Sequence, residues 1–137
     1  EFKNRLFNIY INSNVDKNDY PRLIRPLFMN FYKQKSLEVI EKRIKKYQKY
    51  FENKPKSIKI KDFNDKWGSC SKANMLSFNW RIILSSMKIL DYVVVHELSH
   101  MKHKNHSEKY WNLVQSVIPD YKERKDWLRI NADILKI

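Results

Sequence analysis

The chain has one cysteine, one glycine, no long apolar run and about half as many acidic as basic side chains, and these shortages narrow what it can be. With Cys70 alone no intrachain disulfide can form, which suits a reducing compartment and makes the cytoplasm the default expectation. Although 42% of the residues are hydrophobic, no uninterrupted apolar segment approaches the roughly 20 residues that cross a bilayer, so no membrane association is expected. The opening residues Glu1-Phe2-Lys3-Asn4-Arg5 lack the apolar stretch behind them that a secretory signal needs. Internal repeats and low-complexity tracts are lacking too.

The deficit of acid leaves a net charge of +13, from 28 basic and 15 acidic side chains. Such a surface favours nucleic acid, nucleoprotein or other anionic partners. The plainer reading is a solvated helix face, as in Lys42-Arg43-Ile44-Lys45-Lys46. A chain of 137 residues builds one core.

Residues 1–20 read as an N-terminal segment, and 21–137 as the main domain. Phe2 to Ile11 alternates loosely and suggests a strand, while Asn12 to Tyr20 is polar, turn-prone and ends against Pro21. From about Pro26 to Phe51 the residues Leu37, Ile40, Ile44, Tyr47 and Phe51 recur at helical spacing, with Pro55 beyond the end. Ser57 to Phe63 alternates with a period of two, and so does the run Leu76, Phe78, Trp80, Ile82 and Leu84, which predicts an antiparallel hairpin with a wide connection. A mostly apolar helix follows from Met87, with Ser85-Ser86 as its cap. Ser107 starts another, ended by Pro119, and a last helical pattern holds Trp127, Leu128, Ile130 and Ile134.

Chemistry concentrates at residues 96–100, His-Glu-Leu-Ser-His. On a helix, four residues turn by about 400° and rise about 6 Å, so both imidazoles leave one face a turn apart and can reach one Zn²⁺. Glu97, one position after the first histidine, falls beside the metal, where a carboxylate can take a proton from water.

A catalytic zinc usually takes a third protein ligand and keeps one position open. His103 lies seven residues after His96, about 10 Å along a straight helix, and three ligands along one axis converge poorly. His106 reaches the metal only if the chain turns back. Asn105 supplies that turn as a left-handed helix cap, so His106 is preferred to His103.

The window from Lys66 to Leu128 resembles the YgjP-like metallopeptidase family, small zincins related to the SprT-like proteins. The resemblance lies in Lys-Trp-Gly-Ser-Cys-Ser at 66–71, Leu-Ser-Phe-Asn-Trp-Arg at 76–81 and Leu-Asp-Tyr-Val-Val-Val-His-Glu-Leu-Ser-His at 90–100. Asn-His-Ser at 105–107, the pair Tyr110-Trp111 and Pro-Asp-Tyr at 119–121 extend it. It implies an α+β, minimal zincin fold: a small, mostly antiparallel sheet, an active-site helix and flanking helices. It also implies zinc on His96, His100 and His106, base duty for Glu97, and a preceding β-rich region of which 1–20 would be a remnant. Metzincins place a glycine three residues after the second histidine, where this chain has His103, and so are disfavoured.

Cys70 reads as core packing, and Gly68 as a special backbone angle or a shaper of the cleft. Asn79 and Arg81 alternate with Phe78, Trp80 and Ile82, so they point to solvent or to the cleft, and with Tyr110 they are candidates for substrate binding. The expected function is zinc-dependent hydrolysis of peptide bonds in an extended polypeptide. The alternatives are a basic, zinc-stabilised module that binds nucleic acid or nucleoprotein, and hydrolysis of a non-peptide amide.

Overall fold

The computed structural model describes residues 2, 3, 6, 7 and 9–135. By its internal contacts the chain divides into residues 1–31 and residues 32–137. In the first unit, strands β1 (Phe2–Lys3) and β2 (Leu6–Phe7) pair antiparallel. The single strand expected over Phe2 to Ile11 is therefore two short ones, with residues 4, 5 and 8 outside the described ones.

Helix α1 (Tyr20–Tyr47) starts earlier than the periodicity predicts. A short 3₁₀ turn, Lys17–Asp19, leads into it, capped by the Asp16 carboxylate, which accepts from the Asn18 amide at 2.9 Å. Pro21 fits this first turn because the amide it lacks would have had no partner there. Pro26 lies inside the helix at an exposed position, past the first turn rather than in the first turn itself.

The second unit holds a three-stranded sheet in the order β3-β5-β4, made of β3 (Ser57–Lys61), β4 (Gly68–Cys70) and β5 (Met75–Asn79). The expected hairpin is corrected here. β3 and β5 run parallel, Ile58 opposite Leu76 and Ile60 opposite Phe78, because β4 intervenes in the chain and makes the antiparallel turn onto β5 itself. The alternation expected to run to Leu84 stops at Asn79, whose side chain accepts from the Arg81 amide at 3.1 Å and caps a 3₁₀ helix over Trp80–Leu84.

Helix α2 (Met87–His100) is buried over most of its surface, and α3 (Glu108–Val117) and α4 (Tyr121–Asn131) pack beside it. The Ser107 hydroxyl accepts from the Tyr110 amide at 3.3 Å, and α3 ends before Pro119, as predicted. Core side chains come from every layer: Ile40 and Ile44 of α1, Leu76 and Phe78 of β5, Val94, Val95 and Leu98 of α2, Tyr110 and Val114 of α3. Of the C-terminal pattern, Leu128 joins the core, whereas Trp127 and Ile130 are exposed and the side chain of Ile134 lies outside the described residues.

One buried polar network anchors α2. Asp91, one turn before Val95, accepts from Arg43 Nε at 2.7 Å, Arg43 Nη2 at 2.6 Å and the Tyr47 hydroxyl at 2.7 Å. Burying that carboxylate is tolerable only because three donors saturate it. Among the described residues no helix is long and apolar enough to cross a membrane. Among the described residues the architecture is α+β, with four α-helices and a small mixed three-stranded sheet.

Candidate metal centre

His96 and His100 sit one turn apart on the last stretch of α2, and the chain then reverses to bring back His106. Asn105 does not make that reversal in a left-handed conformation. Among the described residues the non-glycine positive φ is at Asn74 (60°), in the β4–β5 turn. The helix instead frays through right-handed Met101, with the His103 amide donating to the Ser99 carbonyl at 3.0 Å. Lys104 then fastens the loop to the sheet, donating to the Ser71 carbonyl at 3.1 Å and to Asn74 Oδ1 at 2.7 Å.

The result is a convergence of three ring nitrogens. Nε2 of His106 lies 3.0 Å from Nε2 of His100 and 3.4 Å from Nε2 of His96. Tetrahedral bonds of 2.0–2.1 Å to one zinc ion put ligand nitrogens about 3.3 Å apart, so the spacing fits the ion. The protonation fits as well. Burial and the neighbouring histidines push the imidazolium of His96 down to about 3, and burial likewise lowers that of His100, so both rings present lone pairs at neutral pH.

Outer contacts fix which nitrogen is free. His100 Nδ1 donates to the His103 carbonyl at 3.0 Å, which leaves Nε2 as the acceptor of a metal. His96 Nδ1 meets the Tyr92 hydroxyl at 3.2 Å, a partner one helical turn upstream. His103 thus serves the cluster through its carbonyl. Tyr110 stacks on the His100 ring at a centroid distance of 4.4 Å and donates its hydroxyl to the His96 carbonyl at 2.9 Å, while Trp111 stacks on His106 at 5.5 Å.

Glu97 is buried beside this cluster, with Oε1 3.9 Å from His96 Nε2 and Oε2 without a hydrogen-bond partner. Burial pushes its carboxyl up to about 8, against the opposing charge of Lys66. Gly68 makes the room. A Cβ at Gly68 would stand 2.9 Å from Glu97 Cγ and 3.1 Å from Oε1. The reading of Gly68 as a special backbone angle is therefore replaced, since its φ is not positive and what it provides is space.

The three substrate-binding candidates are placed differently. Tyr110 touches the histidines, but its hydroxyl is spent on a backbone carbonyl. Asn79 is buried and donates to the Phe63 and Lys66 carbonyls at 3.1 and 3.0 Å, holding the β3–β4 loop. Arg81 is buried too, pairs with Asp62 and lies over the Trp80 ring. The alternation that pointed Asn79 and Arg81 outward fails because Asn79, the last residue of β5, turns inward as a cap and Arg81 already lies in the 3₁₀ helix. Cys70 packs partly buried against the core, as expected. The sequence reading passed over Tyr92, although its position four residues before His96 was the available signal.

The solved structure of the metallopeptidase zymogen abylysin from Pyrococcus abyssi matches with a TM-score of 0.60 at 20% identity, covering 71% of this chain and 96% of that one. The zymogen jannalysin from Methanocaldococcus jannaschii matches with a TM-score of 0.54 at 23% identity, over 72% and 96%. At these identities the likeness shows a shared fold. No curated protein matches the chain. The YgjP-like, metallopeptidase domain family model, however, covers residues 2–131, nearly the whole of the 137. The chain therefore belongs to the YgjP-like family of metallopeptidase domains.

Proposed function

We propose that the chain hydrolyses peptide bonds with a zinc ion held by His96, His100 and His106 and with Glu97 as general base. The observation that carries this reading is the meeting of three imidazole nitrogens, with Nε2 of His106 3.0 and 3.4 Å from those of His100 and His96, beside a buried carboxyl. Bound there, zinc supplies Lewis acidity, polarising a carbonyl and making water a stronger acid. Three histidines are the protein share of a catalytic site that keeps a position open.

Glu97 Oε1 accepts the proton of the attacking water and afterwards returns it to the leaving amine nitrogen. The burial of Glu97 beside the histidines keeps its carboxylate within reach of that water. Tyr92 and the His103 carbonyl hold the His96 and His100 rings in orientation, so the ligands need little rearrangement. Tyr110 and Trp111 stack on the His100 and His106 rings and support them from the α3 side.

Substrate would join the sheet as an added strand. β4 is an edge strand, and its Gly68 lies against Glu97, so a polypeptide paired along that edge brings its backbone carbonyls past the general base. With Asn79 and Arg81 committed to the β3–β4 loop, main-chain pairing on β4 is the positioning device this reading relies on.

The test is Glu97→Gln. It should retain zinc and lose turnover of a peptide library by about 10²–10⁴. Cleavage at the parental rate would overturn the assignment.

A further inference from the structure

Three lysines stand around the histidine cluster, and none of them makes an ion pair among the described residues. Lys125 of α4 places Nζ 4.4 Å from the centroid of the Trp111 ring, the ring that stacks on His106. Lys104, in the loop between His100 and His106, reaches 3.8 Å from Cys70 Sγ at the end of β4, with neutral oxygens of Ser71 and Asn74 as its hydrogen-bond partners. Lys66, two residues before Gly68, packs its Nζ 4.8 Å from the Phe63 ring.

The nearby acids do not cancel them. Asp65 beside Lys66, Glu108 beside His106, and Glu123 and Asp126 beside Lys125 are exposed, Asp126 pairs with Arg129, and none of the four is within ion-pair distance of the three lysines. Glu97 itself is buried. Lys66 precedes β4 and Lys104 reaches Cys70 at its other end, so a polypeptide lying along that strand passes a lysine at each end of it.

We propose that Lys66, Lys104 and Lys125 form a cationic rim that selects substrates carrying acidic side chains on both sides of the scissile bond. The proposal rests on the cleft assigned above. Charges on the rim of a site act mainly on encounter and discrimination and are screened by salt. Each lysine is expected to contribute about threefold, and the set on the order of tenfold or more at low ionic strength.

Binding tests it without requiring turnover. Fluorescein-labelled peptides of one sequence, flanked by Asp/Glu, Asn/Gln or Lys, are titrated by anisotropy against zinc-loaded Glu97→Gln protein. The acidic peptide should bind about tenfold more tightly than the neutral one at low salt, and the ratio should shrink as salt rises. Reversing Lys66→Glu with Lys125→Glu should abolish or invert the ratio. Reversing Lys54→Glu with Lys59→Glu, exposed positions before and on β3, changes net charge equally and should leave most of it. If the rim reversal misfolds, Lys66→Gln with Lys125→Gln should still cut the ratio severalfold. Equal affinity for acidic and neutral peptides, no measurable acidic-peptide binding, or equal loss from the rim reversal and the reversal at Lys54 and Lys59 would overturn the proposal. Failure of the hydrolase reading shows separately, as a zinc-loaded parent that cleaves none of the peptides.

Discussion

The α-carbon of Gly68 lies so close to the Glu97 side chain that a single added methyl group would stand 2.9 Å from Cγ. β4 and α2 thus meet through a residue with no side chain, and a Cβ there would displace the carboxylate. Gly68→Ala should push Glu97 from its place while leaving the histidines where they are. Misplacement on the order of 1 Å commonly costs about 10²-fold in rate. Steady-state kinetics with zinc analysis should show full metal content and turnover down by about that factor. Parental activity would mean that Glu97 has slack at this contact.

Tyr110 offers a graded version of the same argument on the ligand side. Tyr110→Phe removes only the hydroxyl that reaches the His96 carbonyl and should cost about 1 kcal/mol in denaturant unfolding. Tyr110→Ala also removes the fully buried ring under His100 and should cost about 3–5 kcal/mol. Chelator competition should show zinc affinity falling in the same order, by up to about tenfold for Phe. An Ala variant no worse than Phe would contradict a supporting role for the ring.

Acid should weaken the domain partly through Asp62. Burial pushes its carboxyl up, but hydrogen bonds from Arg81 and Trp80 and the charge of Arg81 outweigh that and hold it below the ordinary 3.8. A carboxylate depressed on folding adds stability that is complete above its unfolded value and disappears as pH falls through its folded value. The stability gap between the parent and Asp62→Asn should therefore be constant near pH 6 and close below about pH 4. Thermal unfolding across that range checks it. A gap independent of pH would exclude the contribution.

What the sequence disclosed and what it hid follow from signal length. The i, i+4 histidines around Glu97 lie on one continuous helix, so spacing alone located two ring nitrogens and the carboxylate. The Ile40, Ile44 and Tyr47 face of α1 was legible for the same reason. β4 has three residues, too few for alternation to register, and missing it led to the wrong partner direction for β3 and β5. Asn79 and Arg81 were misread because a cap and a 3₁₀ helix interrupt the period just where they stand. The reversal that returns His106 was expected at Asn105, yet it depends on Lys104 reaching residues some thirty positions earlier in the chain, a contact that no local pattern encodes.

The reading proposed for this site is that His96, His100 and His106 together hold one metal ion. Zinc stoichiometry of the purified parent, His106→Ala and His103→Ala proteins, measured side by side by elemental analysis after dialysis, tests it most directly. About one zinc per chain is predicted for the parent. His103→Ala should keep it, since His103 contributes a backbone carbonyl, whereas His106→Ala should lose most of it. Full zinc in His106→Ala, or loss in His103→Ala alone, would contradict the account.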